Sequence, residues 1–206
     1  MQSKGYPAAS KLSTLQPFLR FMAINCRCRL KVFTFVLNRN EYPWMKENNM
    51  QTLVLGLGNT LLGDEGIGVH VIQNLQTNYP ALSNVTLLDG GTLSFTLASY
   101  IEDCENLIII DAAQLHSPPG TIAVYEGDEM DRFINRNRNK SVHEVNVTDI
   151  LACSHLTGNL PKLRALVGIQ PHLIDWSDSL SEPVASAVPK ACETTRNLIR
   201  RWQSQK

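Results

Sequence analysis

The sequence has no apolar run long enough to cross a membrane, and neither sign of charge is in surplus, with 19 Lys/Arg against 19 Asp/Glu. The first absence excludes a membrane-spanning helix, and the second leaves no overall basic excess with which to grip nucleic acid. Cysteine is scarce. Cys26, Cys28, Cys104, Cys153 and Cys192 make an odd number with no C-x-x-C pair, which argues against a disulfide framework and for buried thiols in a reducing compartment, the cytoplasm. Cys26 and Cys28, one residue apart, are too slight a pair to carry a metal site. Internal repeats and low-complexity tracts are also missing, so neither a solenoid nor a disordered scaffold is expected. What is present, 43% hydrophobic and 18% charged residues over 206 positions, fits one ordinary globular domain with at most an appendage.

The balanced charge conceals a boundary. Residues 1–49 carry eight Lys/Arg against two acids, so the remainder, 50–206, carries eleven against seventeen. Residues 1–49 show no helical or strand period, and their longest apolar stretch, Val32 to Leu37, is too short for a secretory core. A targeting presequence and a basic nucleic-acid-binding arm are two readings of this segment. The preferred one is a disordered extension or a mis-assigned start, because Met50 stands immediately before the first strand, and residues 50–206 then form the domain.

That domain is organised around Leu53 to Val71. Leu53, Val54 and Leu55, stopped by Gly56, read as a strand buried on both faces. Gly56, Gly58, Asn59 and Gly63 turn the chain, and Ile67, Val71, Ile72 and Leu75 recur at helical spacing, so a helix is expected to start near Asp64 or Glu65. A dinucleotide fingerprint is refused, since Leu61 stands where the third glycine belongs and two acids at the helix start repel a pyrophosphate. No G-K-[ST] follows for a phosphate loop. The opening GLGN is shared with peptidyl-tRNA hydrolases, but the tyrosine and histidine-asparagine signals of that family are missing. What remains is a pair of carboxylates at the carboxyl end of a strand, where open α/β sheets place their sites. Asp64 reads as a helix cap worth roughly 0.5–2 kcal/mol, and Glu65 as the functional member of the pair.

Val85 to Leu88 is the second expected strand. It ends in Asp89-Gly90-Gly91-Thr92, after which Thr92 or Ser94 can cap a helix reaching about Glu102. Leu107 to Ile110 delivers Asp111 to a strand end, where a carboxylate needs a cleft, a cation or backbone donors. Thr121 to Tyr125 is a further strand, and Gly127 to Lys140 reads as a mobile surface loop whose Arg132, Arg136, Arg138 and Lys140 are solvated. His143 precedes a helix with Val147, Ile150, Leu151 and Leu156 on its apolar face. Leu163 to Val167 forms the last strand, and Ser181-Glu182-Pro183 opens a final helix with Val184, Val188, Ala191, Thr195, Leu198 and Trp202 along one side. The fold class is therefore α/β: a single three-layer domain, with a mostly parallel twisted sheet between helices on both faces.

GNTLLGDEGIG, Asp89-Gly90-Gly91, LIIIDA and His143, in this order and spacing, resemble the signature of the nickel-iron hydrogenase maturation endopeptidases. The resemblance covers residues 50–206 and implies a five-stranded sheet. It implies an endopeptidase that trims the C-terminal extension of a hydrogenase large-subunit precursor after nickel insertion. It further implies that Glu65, Asp111 and His143 are both the metal ligands and the catalytic set, with Asp89, Gly90 and Gly91 contacting substrate. Val142 and Glu144 depart from common family residues, a departure that bears on the geometry of the loop more than on His143 as ligand. The ion implied is nickel already held by precursor thiolates, although two carboxylates and an imidazole also suit zinc or another divalent ion. The rival functions are a non-cleaving nickel-binding maturation chaperone and a generic metal-dependent peptidase. A monomer acting on a protein partner, without nucleic acid or membrane, is expected. The three ligands are expected to lie in a surface cleft where substitution leaves stability nearly unchanged. A chain beginning at Met50 should keep its fold and its processing activity; an insoluble product beside a soluble full-length protein counts against the boundary.

Overall fold

The computed structural model describes residues 50–80, 82–92, 95–137 and 147–205, which belong to the compact unit Asn49–Lys206. The expectations for residues 1–49 and for His143 lie outside the described residues. Five strands carry the fold: β1 Met50–Leu57, β2 Val85–Gly91, β3 Cys104–Ala112, β4 Ile122–Glu126 and β5 Leu163–Ile169. Their order across the sheet is β2-β1-β3-β5-β4, parallel throughout except for β4, which runs antiparallel to β5 at one edge. The helices are α1 Ile67–Asn78, α2 Ala98–Asp103, α3 Asp128–Asn137, α4 Val147–Leu156 and α5 Glu182–Gln203. Among the described residues no helix is long and apolar enough to cross a membrane.

Strand alternation divides the core into two layers. Val54, Ile108, Ile110, Val167 and Ile169 face the side covered by α1 and α5, with Ile72, Leu75, Leu198 and Trp202 packed on them. Their neighbours Leu53, Leu55, Leu57, Leu107, Ile109 and Leu166 face the other side, with Ile101, Met130, Ile150 and Leu151 of α2, α3 and α4. Central parallel strands buried on both faces explain why their sequences are continuous apolar runs rather than alternating ones. The expected five-stranded, mostly parallel sheet between two helical layers is thus the one observed.

Two segments differ from expectation. The charged stretch expected to be a loop forms α3, because Met130, Phe133 and Ile134 supply an apolar stripe beneath the charges. Met130 is fully buried and the Phe133 ring stacks on Tyr125, with centroids 4.1 Å apart. Arg164 reaches down from β5 to Asp131 at 3.0 Å and fastens that helix. Leu156, expected on the buried face of α4, is exposed instead, and Ser154 takes the buried place by bonding its hydroxyl back to the Ile150 carbonyl at 3.1 Å. In addition, α2 starts from Leu97 after a short 3-10 turn, Phe95–Leu97, and has no side-chain cap, so Thr92 does not cap it. Ser94 lies outside the described residues.

Close backbone contact seats α1 on the sheet. A Cβ on Gly68 would lie 2.2 Å from the Ile110 carbonyl oxygen and 2.4 Å from that of Leu57, so no other residue fits at this crossing. Gly58 is more constrained still, since its φ is 126° and an added Cβ would stand 1.9 Å from the Glu65 carbonyl oxygen. Gly58→Ala is therefore expected to destabilise the fold by about 3 kcal/mol or more, from strain and overpacking together. Gly127→Ala, where φ is 51° but nothing lies within 4 Å, is expected to cost only about 1 kcal/mol. Urea midpoints of the two variants give the comparison, and equal losses would show that the close approach at Gly58 is not what demands glycine.

Candidate active site

The sheet reverses its winding between β1 and β3: the chain goes from β1 outward to β2 on one side and then returns to β3 on the other. Crevices at the carboxyl ends of strands flanking such a reversal are the common ligand sites of open α/β sheets. Gly56 near the end of β1 pairs with Asp89 of β2 on one side and with Ile110 of β3 on the other. Asp111 follows Ile110 directly and pairs with Gly168 of β5. Beyond β1 the chain makes a turn at Asn59–Leu62 and then a 3-10 turn, Gly63–Gly66, that packs on the end of β3. One sheet edge thus gathers Asp89, Glu65 and Asp111.

Glu65 sits in that 3-10 turn, ahead of the first residue of α1. Its Oε2 accepts the backbone N–H of Asn59, and the positive end of α1 favours its negative charge. Only 3% of Glu65 is exposed, which corrects the expectation of a surface cleft residue: its carboxylate is held from below by the turn that presents it. Asp111 is half-buried at the neighbouring strand end. Asp89 is exposed, and its Oδ1 accepts the Gly91 N–H at 2.9 Å, which shapes the turn. The Gly91 carbonyl in turn accepts the Gly58 N–H at 2.9 Å, so the Asp-Gly-Gly turn and the glycine loop are laced together. Gly90 is obliged to be small, since a Cβ there would lie 2.8 Å from both Leu55 and Leu57 methyls.

Asp64 does not cap α1. Its carboxylate is 1% exposed and accepts four hydrogen bonds from the far loop before α5: His172 N–H and Leu173 N–H at 2.9 and 3.1 Å, Ser181 N–H at 2.7 Å and Ser181 Oγ at 2.8 Å. Burial pushes its carboxyl pKa upward, but the bonds from Ser181, Leu173 and His172 outweigh that, and the pKa falls below the ordinary value. The same two segments are also joined through the backbone, where Gly63 N–H donates to the Ser177 carbonyl at 2.9 Å and Ser177 N–H donates to that of Leu61 at 3.1 Å. A second clasp lies beside Asp111. Buried Gln170 accepts the Leu115 N–H at 2.7 Å and donates to Gln114 Oε1 at 2.9 Å, fixing the segment that leaves β3. Neither clasp was foreseen. The four donors of Asp64 lie more than a hundred positions along the chain, and only the two adjacent acids marked the place.

Among the described residues no three His, Cys, Asp or Glu side chains converge closely enough to hold a metal ion. Of the three expected ligands, Glu65 follows the end of β1 and Asp111 stands at the end of the neighbouring β3, and His143 lies outside the described residues. Two oxygen donors at one edge suit partial coordination of a divalent ion that brings other ligands with it. Thiol nucleophiles are disfavoured at two of the cysteines, because burial pushes Cys104 up to about 12 and Cys192 up to about 11, leaving both protonated at neutral pH.

Residues 69–197 match the family model of hydrogenase maturation proteases. The chain belongs to that family. The matched span includes Asp89 to Gly91, Asp111 and His143, and it opens just after Glu65. The protease is similar to the hydrogenase expression/formation protein HupD of Rhizobium leguminosarum bv. viciae, with 35% identity over 78% of this chain and 80% of the relative. It is also similar to the hydrogenase 2 maturation protease of Escherichia coli K12, with 33% identity over 73% and 92% of the two chains. Among solved structures, the hydrogenase maturating endopeptidase HybD of E. coli superimposes with a TM-score of 0.69 at 32% identity, over 74% of this protease and 93% of that chain.

Asp64→Asn keeps one acceptor oxygen but turns an NH2 donor toward N–H donors, so a loss of about 2–3 kcal/mol in unfolding free energy is expected at neutral pH. The sign of the pH dependence follows from the lowered pKa. The advantage of the parent over the variant is complete above the unfolded-chain value of 3.8 and is lost as pH falls through the lower folded value. Denaturant titrations from neutral to strongly acidic pH read this difference; a gap that stays constant into acid would mean the ionised carboxylate is not its source.

Proposed function

We propose that this protease is an endopeptidase that removes the C-terminal extension of a nickel-iron hydrogenase large-subunit precursor after nickel has been inserted. The observation that supports it most is the placement of Glu65 after β1 and Asp111 at the end of the neighbouring β3, both on the carboxyl side of the sheet where its winding reverses. In this reading the nickel arrives as part of the substrate, held by cysteine thiolates of the precursor. Glu65, Asp111 and His143 complete its coordination from the protease side and so register that the metal is in place. Binding to a shared ion places the precursor tail beside the Asp89-Gly90-Gly91 turn. Fixed geometry of this kind is itself a large part of catalysis, and a divalent ion near the scissile carbonyl can polarise it or lower the pKa of a water.

Family membership favours cutting over the chaperone reading, and two carboxylates without a cysteine among them make a modest site that leaves room for a partner's ligands. A resident zinc peptidase site would ordinarily be held by a tighter triad. The protease is proposed to work as a monomer in the cytoplasm, where a nickel-loaded precursor with free thiolates can persist.

Purified full-length protein, incubated with nickel-loaded and nickel-free precursor and analysed by intact mass, tests the assignment. Glu65→Gln retains an oxygen for the Asn59 N–H while removing the charge, and Asp111→Asn does the same at the neighbouring strand end. Each is expected to lower processing by about two orders of magnitude or more. Since Glu65 is buried and bonded within its turn, its replacement by Ala should also lower the thermal midpoint, whereas Asp111→Ala should leave it closer to the parent's. Normal processing of nickel-free precursor in the presence of chelator would overturn the nickel-dependent reading and favour an ordinary peptidase.

A further inference from the structure

Four large apolar side chains stand in solvent on the two segments that Asp64 clamps together: Leu61 at 57% exposure, Leu173 at 61%, Ile174 at 46% and Trp176 at 80%. Large exposed apolar side chains gathered on one rim need a reason, since scattered single ones are ordinary but a cluster marks a contact surface. The segments are fixed rather than trailing. Leu62 and Ser177 form a parallel bridge, Ser177 N–H bonds the Leu61 carbonyl at 3.1 Å, Leu173 N–H bonds Asp64, and the Trp176 N–H donates to Asp175 Oδ1 at 2.7 Å. An aromatic side chain carried on a fixed backbone contributes to binding without the cost of ordering its loop on contact, which suits an interface hot spot.

We infer that Leu61, Leu173, Ile174 and Trp176 form a docking surface for the precursor, taking an apolar segment flanked by Lys or Arg. The inference rests on the proposed processing function and says where beyond the metal the substrate is held. Continuity with the site names the occupant. Leu61 and Glu65 belong to the same loop, and the Ser177 N–H beside Trp176 bonds the Leu61 carbonyl, so the rim is continuous with the proposed site and lies next to a precursor chain held there. Charge adds the flanking chemistry, because residues 171–181 include Asp175 and Asp178 but no Lys or Arg, beside the carboxylates of the site. The same lack of basic residues is unsuited to an anionic membrane surface.

The test measures the affinity of the full-length protein for nickel-loaded large-subunit precursor by sedimentation, together with KM and kcat for its processing. Trp176→Ala and Leu173→Ser should each weaken binding and raise KM about tenfold, while kcat changes by about twofold or less. Trp176→Phe should recover most of the loss, and Leu156→Ser, an exposed apolar residue on α4, should change nothing. Thermal midpoints should stay at the parent's value because the altered side chains are exposed. Unchanged affinity in the Trp176→Ala, Leu173→Ser double variant overturns the docking surface and leaves the processing function standing. A precursor that is bound in a Trp176-dependent way but never cut supports the surface and removes the protease reading. Self-association that vanishes in Trp176→Ala while precursor affinity is unaltered assigns the patch to a second copy and overturns the inference.

Discussion

The carboxylate of Asp64, buried and surrounded by four donors, is the interaction on which the site depends. A carboxylate out of water is costly unless its charge is met by hydrogen bonds, and here the donors come from a loop 108 to 117 residues further along the chain. The same bonds seat the glycine loop, the loop before α5 and the N-cap of α5 in a single arrangement. Ser181 illustrates the coupling: it is the residue that starts α5, yet its hydroxyl serves Asp64 rather than its own helix. Without that carboxylate, four donors of the loop before α5 would lose the acceptor they share.

Adjacent residues thereby have opposite roles. Asp64 is sealed by donors from another part of the chain and has no remaining capacity for chemistry, whereas Glu65 is presented at the strand edge by its own local turn. The difference comes from the backbone. Glycine at 58 and 68 allows the turn and α1 to lie directly on the ends of β1 and β3, where both carboxylates are buried but find their partners in different parts of the chain. An alanine at either position would displace the turn and both carboxylates with it.

Much of this could be read from the residues. The apolar runs of β1, β3 and β5, the glycines and the lone aspartate after LIII marked a mostly parallel sheet and the carboxyl strand ends as the place for a site, whereas the order of the strands, and with it the winding reversal, came only from the structure. Asp64 was misassigned because its sequence context is that of a helix cap, and a cap is a local feature, whereas its real partners are distant in sequence. The helix at Asp128–Asn137 was hidden for a different reason: its charges dominate the composition, while only three apolar residues at i, i+3 and i+4 show its buried stripe. The exposed Leu173 and Trp176 gave no periodic signal, since an apolar side chain in a loop reads the same whether it packs inward or faces a partner. His143 was legible only through its resemblance to the family, and its position lies outside the described residues.

The sheet order has a consequence for how the protein is made. β5 lies between β3 and β4, yet it is the last strand in the chain. During synthesis β1, β2 and β3 can pair as soon as they emerge, but β3 keeps an unpaired edge, and β4 has no neighbour, until Leu163–Ile169 is inserted between them. A nascent chain stalled before that point exposes a parallel edge of isoleucines, a surface prone to join another chain. Insertion of β5 brings the loop that donates to Asp64, and α5, with it, so the closure that removes the aggregation hazard also completes the clasp beside the candidate site, and a half-made protease lacks it.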